Sequence, residues 1–167
     1  RSKGADELHT LTLSGASTTP GTLAIADKAK IVFTSTGSWA NGKVSVANGA
    51  YLEVTNEANV ASVLQMQSGS TLKIATKVEN NVTNAVPVAV EAFTLPDDGC
   101  ATIDIADVPE LETGVAQMLI SCQDIASDMD LSHLSVIGKT DYRLKAVQGM
   151  GVLVERLPDD LTWSNGA

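Results

Sequence analysis

The most chemistry-bearing residues of this chain are two adjacent carboxylates, Asp97 and Asp98. Such a pair suits the acid and base of a glycoside hydrolase, one carboxyl protonating the leaving oxygen while the other activates water. Its setting, Pro96-Asp97-Asp98-Gly99, has the composition of a solvated turn, and that is the expectation. Pectin-cleaving hydrolases add a Gly-His-Gly and an Arg-Ile-Lys, and neither tripeptide occurs. A polysaccharide lyase needs clustered Arg or Lys beside calcium-binding acids, whereas the arginines are Arg1, Arg143 and Arg156. His9 and His133 are the two histidines and stand far apart in the sequence, so no base or metal set is spelled out around them. Asp124, Asp128 and Asp130 are spaced to approach a calcium ion. They lack the glycine and closing glutamate of an EF-hand loop, and a solvated acidic loop is expected instead. No Gly-x-Ser-x-Gly elbow occurs. No catalytic residue, metal site or cofactor is therefore expected.

Binding chemistry is sparse too. Trp39 and Trp163 share a context, Trp-Ala-Asn-Gly42 and Trp-Ser-Asn-Gly166. An aromatic in a polar connector stacks on a sugar ring or packs over the edge of a fold, and the second reading is favoured. Trp39, Tyr51 and Trp163, with Tyr142, are the candidates for an exposed aromatic strip. Asn81-Val82-Thr83 matches a glycosylation sequon, which matters only in a eukaryotic secretory host. Cys100 and Cys122 lie 22 residues apart. They either stack as neighbours and form a disulfide in an oxidising compartment, or remain free thiols.

The elements that must position these residues come from a repeat. One fourteen-residue unit is written three times, from Gly21 to Thr34, Gly42 to Thr55 and Ser62 to Ala75, at offsets of 21 and 20 residues. Four positions are apolar in every copy: Leu23, Val44, Leu64; Ile25, Val46, Met66; Ile31, Leu52, Leu72; Phe33, Val54, Ile74. Leu11 and Leu13 extend the last two columns backwards. A fixed period near twenty signals stacked units, and alternation at period two makes each copy two short strands around a corner. The corners are Asp27-Lys28-Ala29, Asn48-Gly49-Ala50 and Ser68-Gly69-Ser70.

Two folds compete for that pattern. A three-residue hairpin turn pairs Ile25 with Ile31 and Leu23 with Phe33, but it wants glycine third, where Ala29, Ala50 and Ser70 stand. A parallel β-helix corner keeps both strands inward and stacks each apolar column into a ladder of like residues. The expectation is an all-β, right-handed parallel β-helix (a β-solenoid) with turns of about 20–21 residues, a stacked β-hairpin sandwich being the alternative.

At 167 residues the chain reads as one domain, residues 1–167, with regular units over 8–75 and less regular ones over 76–158. Residues 159–167 read as a tail or the start of a further repeat, and the chain as a fragment of a longer repeat protein. Residues 1–7 read as a polar lead-in. Apolar residues make up 44% and aromatics only 4%, so small and β-branched side chains must fill the core. The formal charge of −9 argues against nucleic acid or anionic membrane surfaces as partners. No apolar run has the length of a membrane helix, so no membrane insertion of this segment is expected. Strand edges at the ends of a stack invite self-association.

Leu11-Thr-Leu-Ser-Gly15, the Gly-x-aliphatic-x-aliphatic openings at Gly21 and Gly42, and Asn48-Gly-Ala-x-Leu52 resemble the β-strand repeats of autotransporter-type passengers and related bacterial surface proteins. The closing Leu161-Thr-Trp-Ser-Asn-Gly166 is similar to the start of another such repeat. The likeness covers residues 8–75 well and the remainder loosely. It implies an extracellular or cell-surface segment of a parent anchored in the outer membrane, used for adhesion, display or scaffolding, with glycans or a host surface as partners. It carries no catalytic residues. A carbohydrate-binding module and a polysaccharide-active β-helix enzyme are the competing functions.

Overall fold

The computed structural model describes residues 8–126 and 128–158. Period-two alternation gives a strand one buried face, and the described chain is built from such strands. In order they are β1 (His9–Leu13), β2 (Thr22–Ile25), β3 (Ala29–Phe33), β4 (Trp39–Val46), β5 (Tyr51–Val54), β6 (Asn59–Met66) and β7 (Thr71–Ile74). Then come β8 (Thr76–Glu79), β9 (Val82–Ala85), β10 (Val88–Thr94), β11 (Ala101–Asp104), β12 (Ala116–Ser121) and β13 (Leu134–Ile137). β14 (Tyr142–Val147) and β15 (Gly151–Arg156) complete the set. There is no helix among the described residues. The all-β expectation holds.

The two strands of each copy belong to different sheets. β1, β3, β5, β7, β11 and β13 form a six-stranded sheet, parallel throughout. A seven-stranded sheet runs β14-β15-β12-β10-β6-β4-β2. Neither sheet closes on itself. The hairpin alternative is thereby corrected, since β2 pairs with β4 rather than with β3. The register follows the repeat: Leu23, Val44, Leu64 and Phe93 are successive partners in one sheet, and Ile31, Leu52, Leu72 and Ile103 in the other.

The corner explains the split. Ala29, Ala50 and Ser70 donate backbone N–H to the carbonyls of Ala26, Ala47 and Gln67. The left-handed residue is the second of each corner, Lys28 (φ 65°), Gly49 (φ 80°) and Gly69 (φ 84°). That is the third position of a four-residue turn, where a type II turn takes glycine. Corners also stack. Lys28 N–H donates to Gly49 O and Gly49 N–H to Gly69 O. A Cβ on Gly49 would lie 1.9 Å from Asp27 Oδ1, and one on Gly69 2.1 Å from Asn48 Oδ1.

The apolar columns point between the sheets, where Val44, Val46, Leu52, Val54, Leu64, Leu72 and Ile74 are fully buried. Each such side chain contributes roughly 1.5–3 kcal/mol. The first column members depart from the expected ladder. Leu11 remains 53% exposed, and Leu13 and Leu23 are half-buried, because β1 and β2 are edge strands covered from one side only. Ser45, which alternates with the inward Val44 and Val46, is nonetheless only 8% exposed. Gln67 Nε2 donates to its Oγ, and that hydroxyl donates in turn to Gln65 Oε1.

Three further corrections concern the connections. The strands start earlier than the copies that begin at Gly42 and Ser62, since β4 and β6 begin at Trp39 and Asn59. The irregular stretch after Ala75 is an antiparallel hairpin of β8 and β9, turned by Asn80 (φ 52°) and Asn81 (φ 65°) as a type I′ loop requires. The all-parallel pattern fails at the last two strands. β14 and β15 are joined by residues 148–150, a link too short for a parallel crossover, so the pair is antiparallel and lays β15 along β12. Gly151 (φ 145°) permits this close approach, for a Cβ there would lie 1.8 Å from Ile120 O.

Candidate functional site

The outward face of the parallel sheet carries paired charges rather than a reactive cluster. Lys30 Nζ lies 2.8 Å from Glu53 Oε1 on the neighbouring strand, and Lys73 Nζ 2.9 Å from Asp107 Oδ2. The hydrogen bond to Asp107 holds the Lys73 ammonium above its usual pKa, against an opposing effect of burial. Lys77, at the base of the β8–β9 hairpin, is raised likewise by its hydrogen bond to Glu57.

The aromatic candidates are not brought together. Tyr51 stands half-buried on the parallel sheet, between Lys30 and Thr71 in register. Trp39 stands on the mixed sheet, partly buried against the core. Its indole N–H donates to Gly21 O at 3.3 Å. A Cβ on Gly42 would lie 2.5 Å from that nitrogen, so the glycine of Trp-Ala-Asn-Gly42 makes room for the ring. Asn41 Nδ2 donates to Thr18 O, and the motif clamps the preceding connector. Trp163 lies outside the described residues.

Asp97 and Asp98 are exposed in a bend before Gly99 (φ 72°), the solvated corner their composition predicts. His9 and His133 belong to opposite edges of the parallel sheet, His9 on β1 and His133 just before β13. His133 Nδ1 lies 2.6 Å from Gly99 O. Asp130 accepts from the Ser132 hydroxyl and from its backbone N–H, which holds its carboxyl below the usual range. Among the described residues no group of three or more His, Cys, Asp or Glu is placed to hold a metal ion.

The disulfide alternative is corrected: both cysteines are free, Cys100 exposed and Cys122 buried. Cys100 immediately precedes β11 of the parallel sheet, with its thiol toward Ser132 O. Cys122 follows β12 of the mixed sheet, with its thiol toward Glu91 O. A spacing near one early repeat does not align them, because the later turns are longer: Val88 pairs with Ile120 and Ala101 with Leu134. Burial pushes the Cys122 thiol up.

One concave feature escaped sequence reasoning. β12 pairs with β10 only at Val88–Ile120 and Ala89–Ser121, then ends, while β10 runs on to Thr94. The notch so opened has a volume of about 530 Å³ and is lined by Asn59, Ala89, Val90, Glu91, Ser121, Gln123 and Asp124. Its polar residues come from three separate strands or their ends, so no local motif announces them. A second cavity, about 590 Å³, lies where β13 and β14 meet, among Glu110, Lys139, Asp141, Tyr142 and Arg156. There Arg156 Nη1 donates to Leu111 O, and Leu111 N–H donates to the Tyr142 hydroxyl.

No protein-family model, curated protein or solved structure matches this chain. The likeness to autotransporter-type repeats rests on the residues quoted for it alone. No helix among the described residues is long and apolar enough to cross a membrane.

Proposed function

We propose that the chain is a non-catalytic structural or adhesive segment of a secreted or surface-displayed bacterial protein, built as a right-handed β-solenoid with the β14–β15 hairpin laid against one end. The observation that carries this reading is the in-register parallel stacking of successive copies in both sheets, from Leu23 through Val44 to Leu64 and from Ile31 through Leu52 to Leu72. Such stacking yields long flanks and repeated shallow surfaces, which suit display and multivalent contact. The outward charges of the parallel sheet are engaged in ion pairs such as Lys30–Glu53.

Incubation of the purified chain with pectins, alginates, mucin glycans and plant β-glucans tests the reading. No new reducing or unsaturated ends are expected. Their release, abolished by Asp97→Asn or Asp98→Asn, would replace it with an enzyme.

A further inference from the structure

We propose that the notch between β10 and β12 is a binding site for an uncharged, hydroxyl-rich sugar unit, an assignment that rests on the non-catalytic surface-binding reading and gives it a ligand class.

The notch is a consequence of strand geometry. The register of β10 against β6 shifts between Ala89 and Val90, and an irregularity of this kind re-aims the side chains beyond it. From Glu91 onward β10 has no strand partner on the β12 side, because β12 stops at Ser121 and the chain turns at Cys122, whose carbonyl accepts from Ile125 N–H. The Cys122 thiol on Glu91 O ties the turn to β10 and holds the two walls together.

The lining selects the ligand. Asn59 and Gln123 each offer a donor and an acceptor, Ser121 a hydroxyl, and Glu91 and Asp124 two carboxylates. Neighbouring sugar hydroxyls both donate and accept, and they match that mixture. No cationic side chain lines the notch, and neither carboxylate has an ion-pair partner among the described residues. Phosphates, sulfates and uronates are therefore repelled. The volume of about 530 Å³ lies within the range of organic-ligand pockets and far exceeds what an ion needs. Glu91 is steadied by the Ser62 hydroxyl, which lies 3.4 Å from its Oε1.

The test is titration of the isotope-labelled chain with a panel of neutral mono- and disaccharides, followed by backbone amide shifts. A saturable response is expected at Asn59, Ala89 to Glu91 and Ser121 to Asp124. Glu91→Gln and Asp124→Asn should each weaken binding about tenfold, the loss of one charge-assisted hydrogen bond. Tyr51→Ser, on the other sheet, should leave affinity unchanged. Both notch residues are exposed, so the dispersion of the same spectra verifies folding of the variants. The proposal is overturned if no sugar moves these amides, or if sulfated and uronate sugars bind more tightly than neutral ones. Affinity lost in Tyr51→Ser but kept in both notch variants overturns it also, while leaving the surface-binding reading intact. Cleavage of a bound sugar would overturn that reading itself.

Discussion

Single residues at the corners set how well copies stack. Lys28 holds a left-handed conformation that Gly49 and Gly69 hold in the next two corners, at a cost of about 1–2 kcal/mol for a side chain with a Cβ. Lys28→Gly should therefore raise the unfolding free energy by about 0.5–1 kcal/mol, less than the full strain because glycine also loosens the unfolded chain. Gly49→Ala should lower it by about 1–2 kcal/mol, adding the strain of positive φ to a clash with the Asp27 carboxylate. Urea denaturation of the two variants checks both signs. The thiols separate as cleanly. Cys100 is exposed, while Cys122 is buried with its thiol pushed up, and thiolate is the reactive form. A thiol reagent should label Cys100 in the native protein and Cys122 only after unfolding; failure of either to react in denaturant without reductant would point to a disulfide. Lys73 has a pH signature. Its folded pKa is raised by Asp107, so the pair's contribution is complete below the unfolded value of 10.5 and is lost as pH rises through the folded one. The pair is partly exposed, which limits it to under about 1 kcal/mol. The stability difference between wild type and Lys73→Met should be flat from neutral pH upward and shrink only above that value.

Strands were the most legible elements, and their limits show where sequence signals stop. The columns Val44–Leu64 and Leu52–Leu72 were readable because buried alternation leaves a period-two trace. The early starts of β4 and β6 were not, since Trp39-Ala-Asn-Gly42 and Asn59-Val-Ala61 carry connector composition and become strand through partners distant in sequence, Trp39 with Ala61 and the start of β6 with Ala89 and Val90. The burial of Ser45 was equally hidden, because it depends on Gln67, one strand away, folding over it. The antiparallel end leaves no such trace, for orientation depends on the link at residues 148–150 rather than on strand composition. The notch was missed for a different reason: it exists where β12 stops short of β10, and an ending strand has no local code. The pairing of β15 with β12 offers a direct test at this scale. Gly151→Val would press a side chain onto Ile120 O at a φ of 145°. The pairing of β12 with β15 should open, and amide exchange across residues 116–121 and 151–156 should accelerate well before that of β5 and β7.

For the whole molecule the central claim is that successive copies are interchangeable layers. One consequence concerns its ends. β1 is an edge strand without Lys, Glu or Pro, and Leu11 on it is 53% exposed; such an edge recruits another strand. Sedimentation should show concentration-dependent association of the wild-type chain, reduced by Leu11→Lys, which places a charge on that edge. Interchangeability itself is tested most directly by removing one layer. Deleting residues 43–62 joins Gly42 to Val63, keeps the glycine beneath Trp39 and leaves the repeat frame intact. In the shortened chain Leu23 should meet Leu64, Ile31 should meet Leu72, and the Asp27 side chain should lie over Gly69. Cooperative thermal unfolding, a strand-type circular dichroism spectrum and cross-strand contacts at those new pairs are the expected result. A molten or aggregated product that keeps none of these pairings, under conditions where the full chain folds, would contradict the layered architecture.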